Sequence, residues 1–502
     1  MEVLFMRSAG ILLPLFSLPS RYGIGGFGKE AFEFVDFLSR SHQKYWQILP
    51  IGPTGFGDSP YQTFSTFAGN PYFISLDILQ EEGLLKESEC LHSGEGSSKT
   101  SIDYGKLYIE RFKTLKTAFK RSAHQNSPSY RDFISSNSFW LQDFACFMAI
   151  KNSKDGAGFS GWEKELRLRK PAAIKKFREQ HSEEIEFQKF LQYKFFKQYA
   201  ALKAYANKNN VQIIGDIPIY VSPDSSDLWA SPELFQLNKD GSLKAVASCP
   251  PDAFSSLGQL WGNPLYDWKY HKSTEFDWWL KRVEHCSKLY DVIRIDHFRG
   301  FDEYYSIPAG MKDATKGSWE PGPGIALFKA IRERLGKISI IAEDLGLITP
   351  SVRKLVKNTG FPNMKVLEFA FDPGDKYGSG DYLPHNYPRN CVVYTGTHDN
   401  ETLVGWIRNL KAPQRRMIRN YLGIGSGRTD VIVRSLIRLA MMSVADYCII
   451  PLQDYLVLDN SARINFPSTL GNNWQWRYEK DDLTDALSEE ICKLTDMYGR
   501  WR

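Results

Sequence analysis

The chain has 502 residues, enough to bury a large core; length alone would suggest three domains, but barrels of parallel strands grow this large as single units. Its 63 basic and 58 acidic residues leave a net charge of only +5, too balanced for a nucleic-acid-binding footprint. Seven scattered cysteines without a C-x-x-C pair exclude a disulfide scaffold and a zinc ribbon, and no apolar run has transmembrane length.

The first eighteen residues are apolar in flavour, but Arg7 interrupts them, Pro14 breaks them and no small-residue cleavage site follows. They read as a first strand and not as a leader, and with the free thiols this predicts a cytoplasmic protein, in a bacterial cytosol or as a mature plastid enzyme. Eight short apolar segments fit parallel strands, at 11–15, 45–50, 211–217, 292–296, 339–343, 365–371, 391–395 and 448–452. Helical periodicity lies between several of them. Residues 29–40 set Ala31, Phe34, Val35 and Leu38 on one face, and 325–335 and 431–443 behave alike. Strand–helix alternation repeated eight times predicts an α/β protein, a single (β/α)8 TIM barrel spanning 1–502.

Two gaps exceed a simple crossover. Residues 77–210 read as a mostly helical insertion after the second strand, with 183–206 strongly amphipathic and the basic run 164–178 a solvated helix face. Residues 221–290, rich in Pro, Ser, Asp and Trp, read as a loop-rich insertion shaping a substrate cleft. Too few residues follow the eighth strand for a C-terminal β-domain.

Four expected strand ends carry acids: Asp216, Asp296, Glu343 and Asp399. Active sites of such barrels sit at the C-terminal ends of the strands. Alternation points Arg294 and Asp296 the same way, so the arginine can hold that carboxylate ionised, as a nucleophile requires. Glu343 is a longer arm, suited to protonating a leaving oxygen. Adjacent strands lie about 4.8 Å apart, within range of the roughly 5–5.5 Å carboxyl separation of retaining glycoside chemistry. His398 beside Asp399 offers a donor for sugar hydroxyls. Aromatic residues make up 14% of the chain, which suits a groove of flat rings against sugar faces as well as an aromatic core. Gly23-Ile24-Gly25-Gly26-Phe27-Gly28 matches a dinucleotide fingerprint in form only, because the next strand tip lacks the ribose-binding acid. There is no G-x-S-x-G elbow, H-E-x-x-H pair or Walker lysine, and no spacing suggests a metal site or a cofactor.

The chain resembles the 4-α-glucanotransferases of glycoside hydrolase family 77, in the α-amylase clan. The resemblance is carried by Gly-Asp-Ser-Pro-Tyr-Gln at 57–62, Ala-Gly-Asn-Pro-Tyr at 68–72, Gly-Asp-Ile-Pro-Ile-Tyr at 215–220, Pro-Pro-Asp-Ala-Phe-Ser at 250–255 and the segment 258–266. Further matches are Arg-Ile-Asp-His-Phe-Arg-Gly at 294–300, Ala-Glu-Asp-Leu-Gly at 342–346, Gly-Thr-His-Asp-Asn-Glu-Thr at 396–402, Arg463-Ile464-Asn465 and Asn-Trp-Gln-Trp-Arg at 473–477. It implies Asp296 as nucleophile, Glu343 as acid/base and Asp399 as a third acid binding ring hydroxyls. Arg294, His398, Asp216 and Tyr61 would build the site for the transferred glucose; Gln259, Trp261, His297, Ser59 and Phe254 would line the acceptor side. The family lacks the C-terminal β-domain of amylases. One departure is Ala253, where some relatives carry an aromatic that narrows the acceptor side.

The expected reaction is transfer of an α-1,4-glucan segment from a maltooligosaccharide to the 4-hydroxyl of glucose or a glucan, with net retention. The expected partners are maltooligosaccharides and glycogen- or starch-derived glucans, with no nucleic acid and no membrane. The rival readings are a hydrolase of the same clan and an inactive glucan-binding protein.

Overall fold

The computed structural model describes residues 7–55, 57–251, 256–372, 374, 380–425 and 427–501. Within them the strands in chain order are β1 (Ser8–Leu12), β2 (Tyr45–Gln47), β3 (Gln212–Pro218), β4 (Ala245–Cys249), β5 (Gln259–Pro264), β6 (Val292–Asp296), β7 (Glu303–Pro308), β8 (Ser318–Pro321), β9 (Ile340–Ala342), β10 (Asn363–Val366), β11 (Cys391–Tyr394) and β12 (Tyr447–Pro451). Eight of these close into a parallel barrel in the order β1-β2-β3-β6-β9-β10-β11-β12, a (β/α)8 TIM barrel.

Alternation decides what fills it. Leu12, Tyr45, Ile214, Val292, Ile341, Met364, Val392, Tyr394 and Ile449 form one buried cluster inside the ring. Their neighbours Ile213, Ile293, Ile295 and Val393 belong to the larger cluster beneath the helices. Two residues on from inward-facing Val292 comes Arg294, and two more bring Asp296. The same step from Ile214 on β3 brings Asp216. A packed apolar floor therefore carries polar side chains at its C-terminal rim.

The eight expected strands are all present, with shifted ends. The first begins at Ser8, ahead of the expected residue 11. The sixth ends at Val366 and not at 371, because its ladder partner β11 ends at Tyr394, opposite Val366. The chain then bends into a 3-10 turn, Leu367–Phe369.

Helix Lys29–Arg40 buries Ala31, Phe34, Val35, Phe37 and Leu38, the face its periodicity prescribes. Between β2 and β3 lie helices from Leu76–Glu81 through Tyr104–Arg121 and Leu141–Ser153 to Ser182–Lys208. The last, 27 residues long, returns the chain to β3, with Phe195 and Tyr199 edging Phe27 at 5.0 and 5.5 Å between ring centres. The basic run splits into Lys164–Arg167 and Pro171–Gln180; Ile174 and Phe177 turn inward while Arg169 and Arg178 share Asp143 at 2.9 Å each.

Between β3 and β6 the chain is more regular than its composition suggests. It carries β4, β5 and helices Trp268–Ser273 and Asp277–Leu289. β4 and β5 join β7 and β8, from beyond β6, in an antiparallel sheet ordered β5-β4-β7-β8. Among the described residues no strand follows Pro451, and no helix is long and apolar enough to cross a membrane.

Gly215 shows how tightly β3 is backed. A Cβ there would lie 2.2 Å from the Tyr290 ring, which is itself buried. Overpacking of this kind costs about 1–3 kcal/mol. Gly215→Ala is therefore expected to lower the thermal midpoint of the purified protein, and an unchanged melt would contradict the packing.

Candidate active site

The site begins with strand register. Asp216 on β3 stands opposite Arg294 on β6, and Ile295 stands opposite Ala342 on β9. Arg294 Nη1 consequently donates to Asp216 Oδ2 at 2.5 Å and lies 3.1 Å from Asp296 Oδ1. Tyr61, from the loop after β2, donates its hydroxyl to the same Asp216 oxygen at 2.8 Å. The Tyr61 ring stacks on His398 at 5.1 Å, and the His398 Nε2 lies 3.4 Å from Asp399 Oδ2. Burial pushes His398 below its ordinary range, which favours the neutral ring beside Asp399.

Glu343 follows β9 directly. Its Oε2 accepts the His297 backbone N–H at 2.6 Å and its Oε1 accepts that of Leu345 at 2.9 Å. His297 adopts a left-handed conformation with φ of 51°, which turns the chain sharply after Asp296 and aims that N–H at the glutamate. The two acids are thus tied through a single backbone step.

Burial pushes the carboxyls of Asp296 and Glu343 above their ordinary range; Arg294 opposes it at both, and two backbone donors oppose it at Glu343. The charge of Glu343 adds to the rise at Asp296, and that of Asp344 to the rise at Glu343. The expectation that Arg294 can hold Asp296 ionised is thereby qualified. The contact exists and acts in that direction, but desolvation and the charges of Asp216, Glu343 and Asp399 outweigh it. Burial likewise pushes Arg294 down, yet Asp216 and Asp296 hold it firmly protonated.

A second group faces this one across His297. Trp261 on β5 meets the His297 ring edge-on at 4.7 Å and donates its indole N–H to Gln259 Oε1 at 3.2 Å. His297 is pushed down to about 4 by burial and by Arg299, so it too is a neutral ring. Ser59 reaches the site only indirectly, its hydroxyl accepting the Tyr61 backbone N–H at 3.3 Å. Phe254 and Ala253 lie outside the described residues.

Several partners escape sequence reasoning. Asn465 Nδ2 donates to Asp399 Oδ1 at 2.6 Å, and Arg463 Nη2 donates to the Asp399 carbonyl at 2.7 Å. Trp474, held at a positive φ of 65°, lies 5.9 Å from Tyr61 and 6.0 Å from His398. The available signal was the Arg463-Ile464-Asn465 and Asn473–Arg477 motifs, which spacing alone does not link to any acid. His42, Cys492 and Asp496 bring possible metal ligands within 4.8 Å of one another. His42 precedes β2, at the opposite end of the barrel from the acids, and already bonds Asp496 at 2.7 Å, so the cluster takes no part in this site.

A carboxylate beside a guanidinium, a second carboxyl at the next strand end and a third acid acting on the first are the groups that glycosidic-bond chemistry employs. Comparison with known proteins agrees. A family model described as 4-alpha-glucanotransferase matches residues 13–484. The 4-alpha-glucanotransferase of Clostridium butyricum is 48% identical over 96% of this chain and 99% of its own, and that of Streptococcus pneumoniae is 47% identical over 98% and 97%. The amylomaltase of Streptococcus agalactiae, solved in complex with acarbose, superposes with a TM-score of 0.95 at 42% identity, covering 98% of this chain and 99% of its own.

The raised Asp296 carboxyl has a consequence for stability. Because its folded value lies above the unfolded one, the native state binds the extra proton, and the stability this brings is complete below about pH 3.9 and lost as pH rises through the folded value. Asp296→Asn keeps an oxygen for Arg294 and cannot ionise. It should melt level with the parent in acid and on the order of 1–3 °C higher at pH 8. A gap that shrinks with rising pH would refute the direction of the shift.

Proposed function

The chain belongs to the 4-alpha-glucanotransferase family and is an enzyme of that kind, and we propose that Asp296 is its nucleophile, Glu343 its acid/base and Asp399 the acid that grips the sugar ring. The observation that carries this reading is the bond from the His297 backbone N–H to Glu343 Oε2 at 2.6 Å, which couples the tip bearing Asp296 to the second carboxyl.

In the first step an Asp296 oxygen attacks the anomeric carbon of an α-1,4-linked donor. The Glu343 proton passes to the departing 4-oxygen, and a β-glucosyl ester forms on Asp296. In the second, Glu343 takes the proton of an incoming 4-hydroxyl, whose oxygen displaces Asp296 and restores the α-linkage. The cycle needs Asp296 ionised, where its contact with Arg294 acts in that direction, and Glu343 protonated when a donor binds.

Transfer requires a sugar hydroxyl to outcompete far more concentrated water. Fixed orientation supplies large effective molarities, and aromatic walls exclude water. Trp261, His297 and Gln259, with Ser59 and Phe254, are proposed to hold the acceptor, and the helical segment 77–210 and the segment 221–290 to frame the cleft. Maltooligosaccharides and glycogen- or starch-derived glucans are the proposed substrates. No disulfide links the seven cysteines among the described residues, which supports a reducing cytoplasm as the place of action.

Pure protein incubated with maltotriose is expected to yield glucose and longer oligomers at a constant count of reducing ends. A rising count with only shorter products would make the enzyme a hydrolase. Acarbose, present in the Streptococcus agalactiae structure, should compete with donor.

The two acid roles separate by leaving group. Asp296→Asn should lose about 10⁴-fold or more in kcat on every donor. Glu343→Gln should lose about 10²–10⁴-fold on maltotriose but far less in forming the ester from an α-maltosyl fluoride, whose leaving group needs no proton. Equal losses on both donors would remove Glu343 from the acid role.

A further inference from the structure

A fifth strand end carries an acid that the mechanism does not use. Glu368 follows β10 on the turn Leu367–Phe369, between the strands that present Glu343 and Asp399. Its Oε2 accepts from Asn400 Nδ2 at 3.1 Å. Asn400 Oδ1 in turn accepts from the Thr397 backbone N–H and hydroxyl, both at 2.9 Å. The Thr397 hydroxyl accepts the Asp399 backbone N–H at 3.3 Å. One carboxyl therefore ends a chain of bonds running through the four-residue turn that carries both His398 and Asp399.

The backbone is fitted to this contact. A Cβ on Gly396 would lie 2.9 Å from Glu368 Oε1 and 3.1 Å from Asn400 Cβ, so a side chain there would press the carboxyl and the turn apart. Glu368 Oε1 is shielded from solvent, and no hydrogen-bonding group among the described residues reaches it.

Charge around Glu368 is mostly negative. Asp454, on the turn after β12, is 2% exposed and accepts from the Thr395 hydroxyl at 2.6 Å and the Leu403 N–H at 2.8 Å. Glu401 accepts from Asn409 and Asn460 at 2.6 and 2.5 Å. Arg463 is the facing cation, and its Nε and Nη2 donate to the carbonyls of Asn465 and Asp399. Burial, then Asp454 and Glu401, push Glu368 well above the ordinary carboxyl range against the pull of Asn400 and Arg463.

We infer that Glu368 is a positioning residue of the transferase site: it anchors Asn400 and thereby fixes the turn that aims His398 and Asp399 at the sugar. The inference rests on the proposed role of Asp399 and goes beyond it, since it makes the aim of that acid depend on a residue of the neighbouring strand. An orientation lost by about 1 Å costs on the order of 100-fold in rate.

The test is a double-mutant cycle on maltotriose disproportionation, with kcat and KM for Glu368→Ala, Glu368→Gln, Asp399→Asn and the double variant Glu368→Ala/Asp399→Asn. Glu368→Ala should lower kcat about 10–100-fold with KM within about twofold. Glu368→Gln, neutral and isosteric, should restore most of that loss. In the Asp399→Asn background, Glu368→Ala should cost little more, because it acts through the acid already removed. Additive losses, or a Gln variant as impaired as the Ala variant, would overturn the inference. Should Glu368→Ala not fold, Asn400→Ala cuts the same chain from the other side, and full activity in that variant would overturn it equally. An unimpaired Asp399→Asn would instead withdraw the role proposed for Asp399, and the inference with it.

Discussion

A guanidinium that is 3% exposed cannot shed its proton at any physiological pH, so it must be matched by carboxylate charge, and Arg294 is matched twice. Asp216 takes its nearer bond at 2.5 Å and is fully enclosed; Asp296, at 3.1 Å, keeps 31% of its side chain open. That asymmetry gives the cation two functions. The bond to Asp216 fixes the guanidinium and leaves the contact to Asp296 free for an acid that must reach out of the floor. Tyr61 depends on the same arrangement, because its hydroxyl points at the Asp216 oxygen that Arg294 also uses. Through the stacked ring of Tyr61 the order passes to His398, and from there to Asp399.

This arrangement follows from the parallel barrel with few further assumptions. A period of two along β6 sends Val292 into the apolar floor, Arg294 into the layer above and Asp296 to the rim. Register with β3 sets Asp216 beside Arg294, and register with β9 lifts Glu343 one step beyond Ala342. The outer faces of the same strands remain apolar beneath the helices, so the polar column needs support only from within the ring. Gln47 and Tyr394 supply some of it, with a buried bond of 2.8 Å across the interior.

Those features explain what could be read before any coordinates. All eight barrel strands and the helix at 29–40 were legible, because their apolar residues repeat at the periods of a buried strand or a one-sided helix. The strand-end acids and Arg294 followed from the same alternation. The sheet β5-β4-β7-β8 was not legible. β5 reads Gln-Leu-Trp-Gly-Asn-Pro, with little β propensity, and β4 finds its other partner, β7, more than fifty residues downstream across the whole of β6. Glu368 was hidden for the opposite reason. It sits within Leu-Glu-Phe-Ala-Phe, an apolar run that continues the pattern of β10 after the strand has ended. Asn465 and Arg463 hold Asp399 from a loop some sixty residues away, a relation that only folding makes visible.

Taken as charges, the site holds more acids than cations. Asp216, Asp296 and Glu343 act on Arg294 and Asp399 acts on Asp296, while Asp454 and Glu401 lie with Arg463 around Glu368, behind the turn that holds Asp399. A neutral ground-state sugar gains little from such a field. An oxocarbenium-like state, with positive charge growing at the anomeric carbon and ring oxygen, gains much, because the stabilising groups are already oriented and largely shut from water. Crowding the acids also raises the proton affinity of Asp296 and Glu343, the direction that the proposed acid role of Glu343 needs. The same repulsion that makes the unliganded site costly to hold thus favours the field that the proposed chemistry needs.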